Sequence, residues 1–98
     1  FDPLGHQLCT AETFRQMTRR VVKAAEELCD GKLMMAHEGG YSEAYVPFCG
    51  HAVMEEMSGS QITAPDPMAE VVAARQPSAR AAAFVSELID EMVTEHLG

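Results

Sequence analysis

The stretch KLMMAHEGGY, residues 32–41, decides which fold the sequence predicts. Glycines interrupt the chain on either side, and residues 32–37 between them are too few for a helix. Their apolar run predicts a strand of a parallel sheet that is covered on both faces. The two glycines that follow, Gly39 and Gly40, let backbone and ligand approach closely. Tyr41 would then lie at the carboxyl edge of the sheet, where open α/β folds bind ligands, and its hydroxyl could donate to a developing oxyanion. Tyr41 is therefore a candidate catalytic residue, although these residues by themselves favour a loop tyrosine with a buried ring and a bonded hydroxyl.

Helical patterns flank the predicted strand on both sides. Apolar residues recur in steps of three and four along these segments, which predicts helices with one apolar face each. The predicted helices are one capped by Thr10 and ended by Asp30-Gly31, one over about residues 44–57, one from Asp66-Pro67 to about Arg75, and one capped by Ser78. The apolar face of the last helix is expected to point inside: Phe84, Val85, Leu88, Ile89, Met92 and Val93.

A single strand leaves the predicted sheet incomplete, because a buried strand needs hydrogen-bond partners on both sides. Either the strand prediction is wrong, or the strand pairs with another copy, or the sheet lies in sequence outside these 98 residues. The last interpretation accounts for most of the pattern. The predicted fold class is therefore α/β, as a fragment that is mostly helical with about one strand.

The negative net charge argues against nucleic acid as a partner. The net charge is -8, with 15 acidic residues against 7 Lys and Arg, so nucleic-acid binding is not expected. Arg15, Arg19 and Lys23 are spaced four apart and would form one stripe on the first helix. A solvated helix face is the favoured interpretation of this stripe, and a docking stripe for an acidic partner is the alternative. No apolar run is long enough to predict a membrane span, and no secretory leader is recognisable.

The three cysteines, Cys9, Cys29 and Cys49, are an odd number and form no CxxC pair. A disulfide framework is therefore not expected, and a reducing cytoplasm fits better.

Several motifs, in order along the chain, resemble the carboxyl-terminal part of zinc-dependent deacetylases, the family of histone deacetylases and acetylpolyamine amidohydrolases. The form of the motifs is most similar to class II and to bacterial histone deacetylase-like amidohydrolases. The motifs are FDPLG at residues 1–5, the segment from Thr10 to Thr18, EGGY at residues 38–41, Cys49, and Ala52-Val53. The resemblance is specific over residues 1–59 and weaker over residues 60–98, so residues 1–98 are expected to be one segment of a deacetylase domain: a motif-bearing part followed by carboxyl-terminal helices.

This resemblance implies a parallel α/β fold of the arginase/deacetylase type and hydrolysis of acetyl-lysine or acetylpolyamine amides with a zinc cofactor. It implies that Tyr41 stabilises the oxyanion, that Gly39 and Gly40 lie beside the acyl-lysine channel, and that Leu4 lines the channel mouth. The zinc ligands of the family precede its DPLG loop, so Asp2 is not expected to be one of them. The segment is accordingly expected to hold no metal or other cofactor and to be inactive alone.

The spacing of potential ligands shows whether two other pairs of residues could bind a metal ion. Cys49 and His51 would diverge by about 200° on a helix, and His37 and Glu38 would point to opposite faces of a strand. Zinc wants three or four converging ligands, so we expect no metal site among these residues. The alternative function is a small, mainly helical interaction module without chemistry, in which the apolar faces drive self-association. An orphan strand would also favour self-association.

Overall fold

The computed structural model describes residues 1–98 and contains four helices. They are α1 (Ala11–Cys29), α2 (Val46–Ser58), α3 (Ala69–Ala73) and α4 (Ala79–Leu97). The chain forms no β-strand. The chain is thus a mostly helical segment.

Local capping chemistry sets both ends of α1. The Thr10 hydroxyl accepts a hydrogen bond from the Thr13 N–H, and the Thr13 hydroxyl accepts one from the Thr10 N–H, which completes a capping box. At the other end Asp30 and Gly31 both adopt left-handed backbone angles, with φ of 55° and 72°. Their N–H groups donate to the carbonyl of Ala25 and close the helix. Both predicted ends of this helix are confirmed.

The strand predicted for residues 32–37 is wrong. These residues form an irregular segment that leads into the glycines before α2. A strand exists only as part of a ladder of backbone hydrogen bonds, and this chain offers no second strand to complete one. The apolar run therefore has no sheet to join within these 98 residues.

Helices α1 and α2 pack against each other and form the core. The buried residues of α1 are Ala11, Thr18 and Ala25, which are seven apart and therefore lie on one line along the helix. On the α2 side the most buried residues are Tyr45 and Ala52, again seven apart. The small side chains of this contact let the two helices approach closely.

Ion pairs join the two helices along the edge of this contact. Arg15 binds the buried carboxylate of Glu55, and Arg19 binds Glu56 through its Nε at 3.2 Å. Lys23 instead approaches Glu27 on its own helix, at 3.9 Å. Two members of the basic stripe on α1 are therefore paired with acidic residues of α2.

The predicted burial of the last helix is wrong for this chain. Helix α4 begins after Ser78, whose hydroxyl accepts a hydrogen bond from the Ala81 N–H as predicted. No residue of α4 is buried, because nothing in the chain packs over its apolar face. Helix α3 begins at Ala69, slightly later than predicted, and Asp66 accepts from the Met68 N–H at 2.8 Å just before it. No helix is both long enough and apolar enough to cross a membrane.

The accessible surface is large for the mass of the chain. The 10.7 kDa chain exposes 7732 Å² and buries only 7 of its 98 residues. A compact monomeric protein of this mass exposes about 5,500 Å². The excess of about 2,200 Å² is surface that a self-contained domain of this size would have covered.

Candidate functional site

Tyr41 lies in the irregular segment before α2, four residues ahead of Tyr45, the N-cap of that helix. It is 59% exposed, so its ring is not buried as in the alternative interpretation. The ring packs beside Gly39: a methyl group built at Gly39 would lie 3.7 Å from Tyr41 Cε2. The phenol is thus held on a short loop with its surface accessible, as a hydrogen-bond donor to a ligand must be.

The two glycines before Tyr41 are required for different reasons. Both have positive φ, 64° at Gly39 and 77° at Gly40, which other residues adopt only with strain. At Gly39 there is room for a side chain. At Gly40 a methyl group would lie 2.9 Å from Val46 Cγ2 and 3.0 Å from His37 Nε2, so the backbone passes too close to both. Gly40 therefore fixes the path of the loop into α2.

The amino-terminal loop carries Leu4, the residue predicted at the channel mouth. The carboxylate of Asp2 accepts hydrogen bonds from the N–H groups of Leu4 and Gly5 and closes a tight turn. Leu4 is left 67% exposed. The structure does not bring Leu4 into one surface with Tyr41 and Gly40, because Leu4 does not line the groove described next.

An open, mainly apolar groove of about 780 Å³ runs between α1, α2 and the segment that carries Tyr41. Apolar residues of α1 line one wall, among them Phe14, Met17 and Val21. Met17 and Val21 are 45% and 44% exposed. Tyr41 and Gly40 belong to the groove, and Gly39 does not. The groove is therefore the surface on which the candidate phenol is presented.

A second phenol, that of Tyr45, organises the base of this groove. Tyr45 is 3% exposed; its hydroxyl accepts from the Ala11 N–H at 3.0 Å and donates to Asp66 Oδ2 at 2.6 Å. Burial and the neighbouring Asp66 carboxylate raise the pKa of Tyr45 above its ordinary value, so its phenol stays neutral. Burial likewise raises the pKa of the nearby Cys49 thiol, to about 11, which leaves that thiol unreactive at neutral pH.

Sequence comparison bears on this arrangement. The profile of the histone deacetylase domain matches residues 1–57, which include the amino-terminal loop, α1, the Tyr41 segment and nearly all of α2. The chain belongs to the histone deacetylase family. A histone deacetylase-like amidohydrolase of Pseudomonas aeruginosa is 43% identical over 94 residues, which cover 96% of this chain and 25% of the relative.

Two further relatives match shorter parts of the chain. Histone deacetylase 8 of Arabidopsis thaliana is 40% identical over 55 residues, covering 56% of the chain and 15% of the relative. A probable deacetylase of Archaeoglobus fulgidus is 38% identical over 64 residues, covering 64% of the chain and 18% of the relative. The chain thus spans a quarter or less of the length of these relatives.

The potential metal-binding side chains of this histone deacetylase segment lie apart from one another. No group of three His, Cys, Asp or Glu side chains lies close enough to hold a metal ion. His51 Nδ1 lies 3.5 Å from Glu55 Oε1, but two ligands are too few and Arg15 binds the other oxygen of Glu55. The carboxylate of Asp2 is likewise engaged by its own turn.

The sequence analysis does not predict the hydrogen bond between Tyr45 and Asp66 in this deacetylase segment. The apolar pattern at the start of α2 accounts for the buried ring of Tyr45 but not for its hydroxyl. Asp66 was predicted as a helix cap, and it does accept from Met68. Hydrogen-bonding chemistry could have predicted this contact. A buried tyrosine hydroxyl needs a partner, and Asp66 is an acceptor just before the next helix.

Proposed function

We propose that this chain is the carboxyl-terminal part of a zinc-dependent deacetylase that hydrolyses acetyl-lysine or acetylpolyamine amides. In this proposal Tyr41 donates a hydrogen bond to the oxyanion of the tetrahedral intermediate, and Gly39 and Gly40 lie beside the acyl chain. Zinc and the base that activates water belong to other residues of the deacetylase domain. The chain alone is then inactive, because a hydrogen-bond donor without an activated nucleophile does not cleave an amide.

The accessibility of Tyr41 carries this proposal. Of the two phenols in the chain, Tyr45 is buried and bonded at its hydroxyl, whereas Tyr41 is 59% exposed on a loop fixed by Gly40. An oxyanion donor must reach the substrate and must be held in place before the reaction. Tyr41 meets both requirements, and it stands in the part of the chain that matches the deacetylase domain.

The uncovered surface supports a role within a larger domain. The groove beside Tyr41 is mainly apolar, and the chain exposes about 2,200 Å² more than a compact protein of its mass. We infer that other parts of a deacetylase domain pack into this groove and form the parallel α/β fold there. The cytoplasm remains the proposed location, since all three cysteines are free.

An activity assay of the isolated chain tests whether these residues are sufficient for catalysis. The purified 98-residue chain, supplied with zinc, should release no acetate above background from an acetyl-lysine peptide. A metal-dependent turnover by this chain would contradict the division of roles proposed here.

A chimera tests the role of Tyr41. Residues 1–98 would replace the aligned quarter of the Pseudomonas amidohydrolase, and amide hydrolysis would be measured on acetyl-lysine and acetylpolyamine substrates. Tyr41→Phe should lower kcat by about 100-fold to 1,000-fold with little change in KM, as for loss of one oxyanion donor. Tyr45→Phe is the matched control, since it removes the same atom from a bonded phenol. It should lower thermal stability and leave kcat within a few fold. Equal losses of kcat in both variants would remove the special role of Tyr41.

One feature favours a second candidate function. The apolar face of α4 is uncovered along the whole helix. This feature suits an interaction module that associates with itself, whether or not the chain takes part in catalysis.

A further inference from the structure

The imidazole of His37 lies against the loop that carries Tyr41. A methyl group built at Gly40 would lie 3.0 Å from His37 Nε2, although the two residues are three positions apart in sequence. The chain therefore turns back on itself between them, and both glycines of this turn have positive φ, 64° at Gly39 and 77° at Gly40. The side chain at the start of the turn thus contacts the backbone at its end.

The same space beside Gly40 is closed by Val46, in the first turn of α2. The methyl group at Gly40 would lie 2.9 Å from Val46 Cγ2, so the two side chains together restrict where the backbone of Gly40 can lie. Glycine adopts positive and negative φ about equally well, so Gly40 does not fix its own conformation. Val46 is held by its helix. The loop therefore depends on its contacts with Val46 and His37 for a single path.

Tyr41 follows Gly40 directly, and its position depends on that path. Its ring packs beside Gly39, with the hydroxyl 3.9 Å from where a methyl group at Gly39 would lie. His37, Gly40 and Tyr41 all line the groove between α1 and α2. An oxyanion donor must be in place when charge develops, and a misplacement of about 1 Å costs on the order of 100-fold in rate. Whatever holds Gly40 therefore also sets the rate that Tyr41 can support.

From this geometry we propose that His37 is a positioning residue for Tyr41. Its ring packs against Gly40 and holds the loop in the conformation that presents the phenol to the groove. The contact joins a ring atom to a Cα, which has no hydrogen-bonding group, so the imidazole acts through its shape and not through its charge. The catalytic consequence rests on the proposed oxyanion role of Tyr41, whereas the effect of His37 on the loop does not.

Backbone order in the 98-residue chain, measured by NMR relaxation, tests the contact directly. The amide order parameters of Gly40 and Tyr41 should be about 0.85 in the wild type, as in rigid backbone, and His37→Ala should lower them below about 0.6. His37→Phe keeps a flat ring and should keep the wild-type values. His96→Ala is the matched control, since it removes an exposed imidazole from the last turn of α4, outside the groove. The proposal is overturned by a wild-type loop that is already mobile, by an unchanged loop in His37→Ala, or by equal loss of order in both His37 variants.

Kinetics of the Pseudomonas chimera test the consequence for catalysis. His37→Ala should lower kcat by about 10-fold to 100-fold and leave KM within about twofold, since the donor is displaced but the substrate still binds. The thermal midpoint should barely move, because His37 is exposed, and His37→Phe should restore most of kcat. A raised KM with unchanged kcat, or a fall in thermal midpoint that accounts for the lost activity, contradicts the positioning role. If Tyr41→Phe retains full activity, the proposed function fails instead, and the order parameters still decide the role of His37.

Discussion

The hydroxyl of Tyr45 donates a hydrogen bond of 2.6 Å to the carboxylate of Asp66, although the whole of α2 lies between the two residues in sequence. The same hydroxyl accepts from the Ala11 N–H at 3.0 Å. One phenolic oxygen thus joins the beginnings of α1 and α2 to the residues that precede α3. The contact therefore holds the amino-terminal ends of these two helices together beside Asp66.

Removal of this hydroxyl should destabilise the chain. Tyr45→Phe leaves Asp66 and the Ala11 N–H without their shared partner, and we expect a loss of about 1–3 kcal/mol in the free energy of unfolding. Urea denaturation followed by helicity at 222 nm measures it. Tyr41→Phe is the control: its phenol is exposed, so the change should stay within about 0.5 kcal/mol. If both variants unfold alike, the Tyr45 contact does not stabilise the fold.

The two ion pairs between α1 and α2 should differ in importance. Arg15→Ala leaves the carboxylate of Glu55, which is 6% exposed, without its cationic partner. We expect a loss of about 2 kcal/mol in the free energy of unfolding, less than for a fully enclosed pair because Arg15 itself is 21% exposed. Arg19→Ala removes an exposed pair with Glu56 and should change stability much less. A larger effect at Arg19 in urea denaturation would reverse this ranking.

The two glycines before Tyr41 should respond differently to alanine. Gly39→Ala introduces only the strain of a positive φ, about 1 kcal/mol. Gly40→Ala adds a contact of 2.9 Å with Val46, so its thermal midpoint should fall further. Both chains would be compared by circular dichroism. In the Pseudomonas chimera, Gly40→Ala should also reduce kcat, since it displaces the loop that positions Tyr41. Equal midpoints for the two variants would show that the Val46 contact costs nothing.

Stability should fall at alkaline pH through two groups, the half-buried Cys49 and the buried Tyr45. The pKa of the Cys49 thiol rises from 9.0 to about 11 on folding, mainly because burial disfavours the thiolate. The stability it contributes is complete below pH 9 and is lost as the pH rises from 9 towards 11. The raised pKa of Tyr45 adds a similar loss above pH 10. Thermal midpoints between pH 7 and 11 would show this, and Cys49→Ala should decline less between pH 9 and 11. A decline that is identical in the variant would assign the effect to other groups.

Helix ends were predictable from sequence because their signals are local. Thr10, Asp30 and Ser78 cap helices through contacts with residues at most five positions away. The strand at residues 32–37 was not predictable in the same way, because a strand depends on partners distant in sequence. An apolar run without such partners stays irregular in this chain.

The packing faces were predicted only in part. On α1 the buried line of Ala11, Thr18 and Ala25 lies beside the large apolar residues that periodicity selects, because small residues sit where two helices approach closely. Those larger residues, such as Met17, line the open groove instead. The sequence predicts Tyr41 at the carboxyl edge of a sheet. Tyr41 instead lies on an accessible loop after two glycines, because the strand before it does not form.

The lack of any buried residue in α4 has a thermodynamic consequence for the lone chain. Helix α4 can melt without disturbing the α1–α2 pair, so the two parts need not unfold in one cooperative step. Amide protons of α4 should exchange with deuterium near the rate of an isolated helical peptide, while those of α1 around Thr18 are protected far longer. Any partner that covers α4 would slow that exchange, which links the persistence of this helix to whatever binds it.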